Sequence, residues 1–447
     1  MAAATDFLWS GVMIWLLGAL GLRLLICVGP GTLSPRRIAS LTVLKRSERS
    51  EDSPLKTMLT ALGGTIGVGN TVGVAAAIRA GGPGAVFWMV VCSGLAMVIK
   101  YAETYLSCRC RDGRLGFGGP MHYMAGLLHS PAAAALFSLS TLAASLFVGN
   151  ASQSELLCSS LESGFGIPKY IAAGVLAAGV AAVCAGGAKR VTRLCSAVIP
   201  AASLGFCLIC AGLCISAHGR ILPALKSIVT GAFDPACAAA GAGGWSLSKA
   251  ISAGFSKGMF SNEAGMGSAP MAHTRSSQAD PDTLGAWGVL EVFIDTTVIC
   301  LLSALVILTR DVSGVEEAFA SGLGSAGSII FALCSCVFAF ASISAWSLYA
   351  RSALEWLGAG GIARGAFFAV FTAASFAGAF VPRASLLVWA DAFNALMALP
   401  NVIALFILSK RLGRWVRESR SAPVPGSSIS ASNNPGRGPR NPDRPRP

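Results

Sequence analysis

The sequence predicts an all-α protein that crosses a membrane many times. Of its 447 residues, 54% are hydrophobic and only 12% are charged, and the mean hydropathy is +0.65. A soluble fold cannot cover so much apolar surface with so few charges. The apolar residues also fall into runs of about 20 residues, the length of helix that spans a bilayer.

Apolar runs divide the chain into about eleven predicted transmembrane helices. The first run is interpreted as a helix rather than a signal peptide, because Asp6 precedes it and no Lys or Arg does. The predicted spans cover residues 8–28, 57–79, 84–109, 131–157, 168–188, 194–216, 246–271, 284–309, 324–350, 362–381 and 385–409.

Basic residues are unevenly distributed between the predicted loops. With the N-terminus outside, the inside segments hold about 24 Lys and Arg side chains and the outside segments about six. Because basic residues concentrate in cytoplasmic loops, we expect an external N-terminus and a cytoplasmic C-terminus. The net charge of +13 then reports membrane orientation and gives no indication of nucleic-acid binding.

Two of the apolar runs are unsuited to a continuous helix. The second has five glycines in the eleven residues 63–73, and each glycine weakens a helix by about 1 kcal/mol relative to alanine. The seventh contains the polar segment Ser261-Asn262-Glu263, three glycines between 258 and 267, and Pro270. We therefore predict that both spans are interrupted.

The spacing of the two interrupted runs predicts the domain organisation. They open two sets of five spans, and because five is odd, the second set enters the membrane from the opposite side. This is the inverted-repeat plan of many secondary transporters. The sequence thus predicts an N-terminal transmembrane helix in 1–30, one five-helix repeat at 57–216, a second at 246–410, and a basic, disordered cytoplasmic tail at 411–447.

An interrupted helix in a membrane has a specific chemistry. Unwound backbone is tolerated there only where it lines a polar cavity. Its N–H groups attract a carboxylate, and its carbonyls suit a sodium ion or an ammonium group. A small zwitterion can bind the N–H groups through its carboxylate and the carbonyls through its ammonium group. Close helix packing through the G-x-x-x-G pairs that begin at Gly63 and Gly69 is the alternative, but it does not account for the polar segment 261–263.

Six motifs occur in one order along most of the membrane part. They are residues 63–70, 81–88, 118–121, 260–270, 293–295 and 389–401. Together they resemble the signature of the alanine or glycine:cation symporter family. The resemblance implies sodium-coupled uptake of a small neutral amino acid across a bacterial inner membrane, and a leucine-transporter-type fold of two inverted five-helix repeats with one extra N-terminal helix. It implies no cofactor beyond the coupling sodium ion.

The resemblance also implies the site residues. In the ninth span, before Trp346, Ala341-Ser342 stands where the family usually shows paired threonines, so one of two hydroxyl ligands for sodium is missing. The expected substrate-binding residues are Thr65, Gly67, Asn70, Gln153, Phe260, Ser261, Asn262 and Trp346, and the expected sodium-binding residues are Thr65, Val68, Phe338 and Ser342.

The residues leave alternatives open. The same fold could be driven by protons, with Glu155, Glu263 or Asp295 as carrier, or the chain could be an amino-acid-gated channel or sensor. A channel predicts a continuous polar helix face, whereas the polar residues here cluster at mid-span. No enzymatic activity is predicted, because no catalytic set and no metal-ligand spacing of His or Cys is visible.

Ionisable residues also lie within other predicted spans. Lys100 and Glu103 are three residues apart on the third span, a spacing that places them on one helix face. We expect a salt bridge between them.

Overall fold

The computed structural model describes residues 9, 12–42, 52–67, 69–233, 246–278 and 280–421. Within these ranges the chain is helical, and the only β-type pairing is an isolated bridge between Asp112 and Phe117. The predicted all-α class is therefore confirmed.

The described residues of the first half of the chain form eleven α-helices. Residues Gly69–Gly73 and Phe147–Ala151 are π-helical segments that precede α4 and α8. The helices are α1 (Ile14–Val28), α2 (Pro35–Thr42), α3 (Pro54–Thr65), α4 (Val74–Gly81), α5 (Gly84–Arg109), α6 (Pro120–Gly126), α7 (Pro131–Leu146), α8 (Ser152–Phe165), α9 (Lys169–Ala185), α10 (Gly187–Ser216) and α11 (His218–Phe233).

The described residues of the second half form eight further α-helices. A third π-helical segment, Phe293–Cys300, joins α14 to α15. The helices are α12 (Ser246–Asn262), α13 (Pro270–His273), α14 (Pro281–Val292), α15 (Leu301–Arg310), α16 (Val315–Leu323), α17 (Ser325–Trp356), α18 (Gly361–Gly378) and α19 (Arg383–Ser421).

Seven continuous helical segments among the described residues are long and apolar enough to span a bilayer. An eighth candidate is α3 together with Gly69–Gly81, which are bent by 56° relative to one another. Ile14–Val28 and Lys169–Ala185 are shorter apolar helices. A multi-pass membrane protein is confirmed, whereas the count of eleven spans and the inverted repeat stay predictions. The seven segments are Gly84–Arg109, Pro131–Phe165, Gly187–Ser216, Pro281–Arg310, Ser325–Trp356, Gly361–Gly378 and Arg383–Ser421.

Helix α5 packs against α12 and α14 through glycine contacts that bring the helix backbones close together. A side chain at Gly254 of α12 would place its Cβ 2.4 Å from the carbonyl oxygen of Ala85. A side chain at Gly285 of α14 would place its Cβ 2.6 Å from the ring of Tyr101. Small residues at such interfaces are typical of membrane helices.

Helix α19 corrects one predicted boundary. Residues 411–421 were expected in the disordered tail, but the helix continues to Ser421. Leu412 and Val416 are buried, and at Gly413 a Cβ would lie 2.5 Å from the carbonyl oxygen of Cys27 in α1. The extension is helical because one of its faces packs against α1. The remaining residues of the predicted tail, 422–447, lie outside the described residues.

The contact between α5 and α11 predicts a stability effect. In Gly84→Ala, the new Cβ would lie 2.2 Å from the carbonyl oxygen of Gly231, and a backbone atom cannot move aside cheaply. We expect a loss of about 1–3 kcal/mol, measured as a lower apparent unfolding temperature in detergent. Gly94→Ala in the same helix is the matched control, since no heavy atom lies within 4 Å of its Cβ. Equal unfolding temperatures for the two variants would contradict the contact.

Candidate functional site

The first interruption separates α3 from α4. The last helical hydrogen bond of α3 runs from the N–H of Ile66 to the carbonyl of Leu62, and Ile66 itself is extended. The N–H of Gly67 then donates to Oδ1 of Asn70 at 3.0 Å instead of to a carbonyl one turn back. The side chain of Asn70 therefore replaces a main-chain acceptor that the break has removed.

The second interruption follows α12, and side chains again satisfy its main chain. Residues 263–269 form turns, with positive φ at Glu263 (52°), Gly265 (85°) and Gly267 (76°). Oδ1 of Asn262 accepts from the N–H of Ala264 at 3.1 Å. The Nδ2 of Asn401 in α19 donates to the carbonyl of Gly265 at 2.9 Å. Both predicted interruptions are thus present among the described residues.

The carboxylate of Asp295 joins the two interruptions. Its Oδ1 accepts from Nδ2 of Asn70 at 2.8 Å, and its Oδ2 accepts from the hydroxyls of Ser261 at 3.0 Å and Thr296 at 2.9 Å. A Cβ at Gly69 would lie 3.1 Å from Cα of Ser261, so the two broken segments are in direct contact. Asp295 is completely buried and forms no ion pair with any described residue.

Three buried polar atoms have no hydrogen-bond partner in the described part of the chain. Oε1 of Gln153 and the hydroxyl of Tyr349 lie at the first interruption, and Nε1 of Trp346 belongs to a ring whose centroid is 5.4 Å from that of Tyr349. The amide of Gln153 lies against Gly67, where a Cβ would be 2.7 Å from Oε1. The hydroxyl of Tyr349 lies against Gly64, where a Cβ would be 2.6 Å from it. Unpaired buried polar atoms are costly, which is typical of a binding site.

The ninth predicted span reaches the first interruption from the other side. The hydroxyl of Ser342 in α17 donates to the carbonyl of Gly64 at 3.1 Å. Phe338 lies one turn earlier on α17 and is buried. Thr65 is buried and its hydroxyl donates to the carbonyl of Leu62 at 3.0 Å. The expected sodium-binding residue Val68 lies outside the described residues.

The remaining expected residues are distributed around these elements. Asn262 is buried, and its Nδ2 donates to the hydroxyl of Thr296 at 3.2 Å. Trp346 is buried against Gly149, where a Cβ would lie 2.1 Å from the indole. Phe260 is half-buried, with the ammonium of Lys257 5.8 Å from its ring centroid.

Three residues of this region were not among the expected site residues. The sequence marks Asp295 as an acidic residue within a span, as the end of the motif 293–295 and as a candidate proton carrier, and these are signals for function but not for a location. Thr296 is a hydroxyl next to it, and Tyr349 is an aromatic residue in an apolar run. Neither Thr296 nor Tyr349 has a sequence signal of its own.

A network of buried charges corrects the expected pair of Lys100 and Glu103. The ammonium of Lys100 lies 3.5 Å from Oε1 of Glu291 in α14, and Oε2 of Glu291 is 2.6 Å from Nε2 of His273. Glu103 instead accepts from Nδ2 of Asn401 at 2.5 Å. The expectation was wrong because α14 packs so closely on α5 that Gly288 contacts Lys100 itself.

A cavity of about 500 Å³ extends from the first interruption to the surface. Its walls include the buried Thr71 at one end and the exposed side chains of Arg79, Glu316 and Glu317 at the other, together with Arg383. A membrane bundle in which polar groups converge on two interrupted helices, with an access cavity, is the arrangement of secondary transporters.

Comparison with known proteins agrees with this class. The sequence profile of the sodium:alanine symporter family matches residues 1–422. An uncharacterized transporter of Haemophilus influenzae is 32% identical over 428 residues, covering 92% of this chain and 93% of the relative. The sodium/alanine symporter AgcS of Methanococcus maripaludis is 33% identical over 433 residues, covering 90% and 93%. A solved manganese transporter of Eremococcus coleocola aligns over 83% of this chain and 75% of its own, with 14% identity and a TM-score of 0.44.

The chain belongs to the sodium:alanine symporter family. The resemblance inferred from the six motifs is thereby confirmed. Because the family and the relatives are transporters, the prediction that the chain is not an enzyme is confirmed as well.

The buried pair of Lys100 and Glu291 predicts that one substitution lowers the stability and that a second substitution partly restores it. In Lys100→Met, the carboxylate of Glu291 loses the ammonium group that lies 3.5 Å from it, and removing one partner of a buried ion pair costs about 3–5 kcal/mol. We expect a lower apparent unfolding temperature in detergent. Adding Glu291→Gln to Lys100→Met removes the uncompensated charge and should restore part of the lost stability. A double variant no more stable than Lys100→Met would contradict the pairing.

Proposed function

We propose that the chain takes up alanine or glycine together with sodium, by alternating access. The observation that carries this proposal is an unpartnered buried acceptor at the first interruption, together with an unpartnered buried donor on α17. Oε1 of Gln153 and Nε1 of Trp346 are buried and have no hydrogen-bond partner among the described residues. One is an acceptor and the other a donor, so together they suit a ligand that carries both an ammonium and a carboxylate.

The surroundings favour a small substrate. The amide of Gln153 lies against Gly67 and the indole of Trp346 against Gly149, which limits the volume beside the break. We assign the substrate to Thr65, Gly67, Asn70 and Gln153 on one side, and to Phe260, Ser261, Asn262 and Trp346 on the other. In this assignment the ammonium meets Oε1 of Gln153, and the carboxylate meets main-chain N–H groups of the broken helix.

The coupling ion is proposed to bind where α17 meets the first interruption. The hydroxyl of Ser342 lies 3.1 Å from the carbonyl of Gly64, so hydroxyl and carbonyl oxygens from two elements are adjacent there. Oxygen atoms are the ligands that hard cations prefer. We propose a sodium site formed by Thr65, Val68, Phe338 and Ser342.

The finer architecture is proposed on the same basis. It comprises eleven spans, an N-terminal helix in 1–30, and two inverted five-helix repeats at 57–216 and 246–410. The N-terminus lies outside and the C-terminus in the cytoplasm of a bacterium, as the distribution of basic residues favours.

In this orientation the cavity of about 500 Å³ opens to the outside. The opposite end is held together by hydrogen bonds between loops: the N–H of Ser277 donates to the carbonyl of Asp52 at 2.8 Å, and Arg111 donates to the carbonyl of Ser276 at 2.8 Å. This combination supports an outward-facing state, the one expected to receive sodium and substrate first.

Uptake of radiolabelled alanine into proteoliposomes tests the proposed function. An inward sodium gradient should drive accumulation of alanine, and replacing external sodium by choline at equal pH should abolish it. Glycine should compete with alanine, because it fits any space that holds alanine. Accumulation that is independent of sodium at every pH would overturn sodium coupling.

Ala341 and Ser342 predict opposite effects on sodium dependence. Ser342→Ala removes a hydroxyl of the proposed sodium site, so the sodium concentration for half-maximal uptake should rise about tenfold, the effect of roughly 1.4 kcal/mol in binding. Ala341→Thr supplies a second hydroxyl and should lower that concentration. A sodium titration of uptake by both variants measures this. An unchanged sodium dependence in both variants would contradict the proposed sodium site.

Proton-driven symport is the second candidate, and Asp295 favours it. Asp295 is completely buried without an ion-pair partner among the described residues, whereas Glu155 is paired with Arg383 at 2.5 Å. If protons drive uptake, alanine accumulates in choline at an external pH of about 5.5, and Asp295→Asn abolishes that accumulation. Uptake only in sodium, at either pH, would exclude this candidate.

A further inference from the structure

A basic pocket lies between the end of α1 and the last turns of α19. Its volume is about 340 Å³, and it is lined by Cys27, Lys410, Gly413, Arg414 and Arg417. The two helices touch at Gly413, where a Cβ would lie 2.5 Å from the carbonyl oxygen of Cys27. Three of the five lining residues are cationic and none is acidic. The pocket is therefore suited to an anion.

The pocket continues an exposed stripe along α19. Ile403, Ile407, Lys410, Arg414 and Arg417 are exposed and follow one another at intervals of three and four residues, so they share one helix face. The side chains of Ile403 and Ile407 are 51% and 61% exposed. One face of a single helix thus passes from apolar to strongly basic at Lys410.

Helix α1 provides a second apolar surface beside the pocket. Leu22 and Ile26 lie one turn apart, and Ile26 is 82% exposed immediately before Cys27 of the pocket. The exposed apolar side chains of both helices therefore precede the basic pocket along their chains. An apolar surface followed by a cationic pocket is complementary to an amphiphile that has apolar chains and an anionic head. A soluble anion would need only the cationic pocket.

Two arginines make the end of α1 compatible with an anion. The C-terminus of a helix carries a partial negative charge that would repel a phosphate. Here Arg417 donates to the carbonyl of Cys27 at 3.1 Å, and Arg420 donates to the carbonyl of Val28 at 3.0 Å and to the hydroxyl of Thr32 at 2.8 Å. These contacts cover the last two carbonyls of α1, those of Cys27 and Val28.

Lys410 and Arg414 are the cations available to a ligand. They are exposed, one turn apart, and form no ion pair with any residue in the described part of the chain. Their neighbours Leu412 and Val416 are buried against the bundle, so the backbone that carries the two cations is held in place.

We propose that this pocket binds the phosphate group of an anionic phospholipid. Lys410 and Arg414 contact the phosphate, and the acyl chains lie along Ile403 and Ile407 of α19 and Leu22 and Ile26 of α1. Basic side chains near a bilayer surface attract anionic lipids in this way. The site is separate from the interrupted helices, and it requires only that the chain is embedded in a bilayer.

Lipid titrations of the purified full chain, followed by native mass spectrometry, test the proposal. Phosphatidylglycerol should bind more tightly than phosphatidylcholine. In Lys410→Gln/Arg414→Gln, the dissociation constant for phosphatidylglycerol should rise roughly 30-fold, and binding of phosphatidylcholine should not change. Lys189→Gln/Arg364→Gln is the matched control, since it removes the same charge from the same predicted membrane face. Arg414→Gln alone should give a smaller rise.

Three results would overturn the proposal. The first is a Lys410→Gln/Arg414→Gln variant that binds phosphatidylglycerol as tightly as the wild type. The second is an equal loss in Lys189→Gln/Arg364→Gln, which would indicate attraction by overall charge. The third is displacement of phosphatidylglycerol by millimolar inorganic phosphate, which would indicate a soluble-anion site. Unfolding temperatures without lipid verify that the substitutions leave the fold unchanged.

Discussion

The hydrogen-bonded bridge from Asn70 through Asp295 to Ser261 is the interaction on which the site depends. A helix interrupted within a bilayer leaves main-chain groups that water cannot satisfy. Asn70 resolves this by accepting from the N–H of Gly67 with one end of its amide and donating to Asp295 with the other. The carboxylate of Asp295 then accepts from Ser261, at the end of α12. One side chain thereby joins two broken helices that also pack directly against each other, as Gly69 does against Ser261.

The charged groups away from the site form the scaffold that holds it. Glu291 contacts both Lys100 and His273, and so connects α14, α5 and α13. Asn401 donates to Glu103 and to the carbonyl of Gly265, and so connects α19, α5 and the second interruption. Because each of these groups is buried, moving one element away would expose an unpaired charge or carbonyl to an apolar environment. The second broken segment is therefore fixed on one side while a cavity reaches the first.

Glycine serves two purposes in this molecule. At the interruptions it allows the positive φ of Gly265 and Gly267. At the first interruption, Gly67 also lets the amide of Gln153 approach the main chain, and Gly149 does the same for Trp346 in the π-helical segment before α8. The residue type that breaks the helix therefore also allows a side chain of α8 to pack directly against the break.

The sequence by itself determined the membrane class, the two interruptions and the family, because hydropathy, glycine content and motif order are local properties of the chain. The tertiary structure alone decided which distant groups meet. Lys100 pairs with Glu291 rather than with its neighbour Glu103, since α14 packs directly on it. Asp295 reaches Asn70 across more than 200 residues of chain. The helix up to Ser421 likewise depends on packing against α1, a contact that no local pattern encodes.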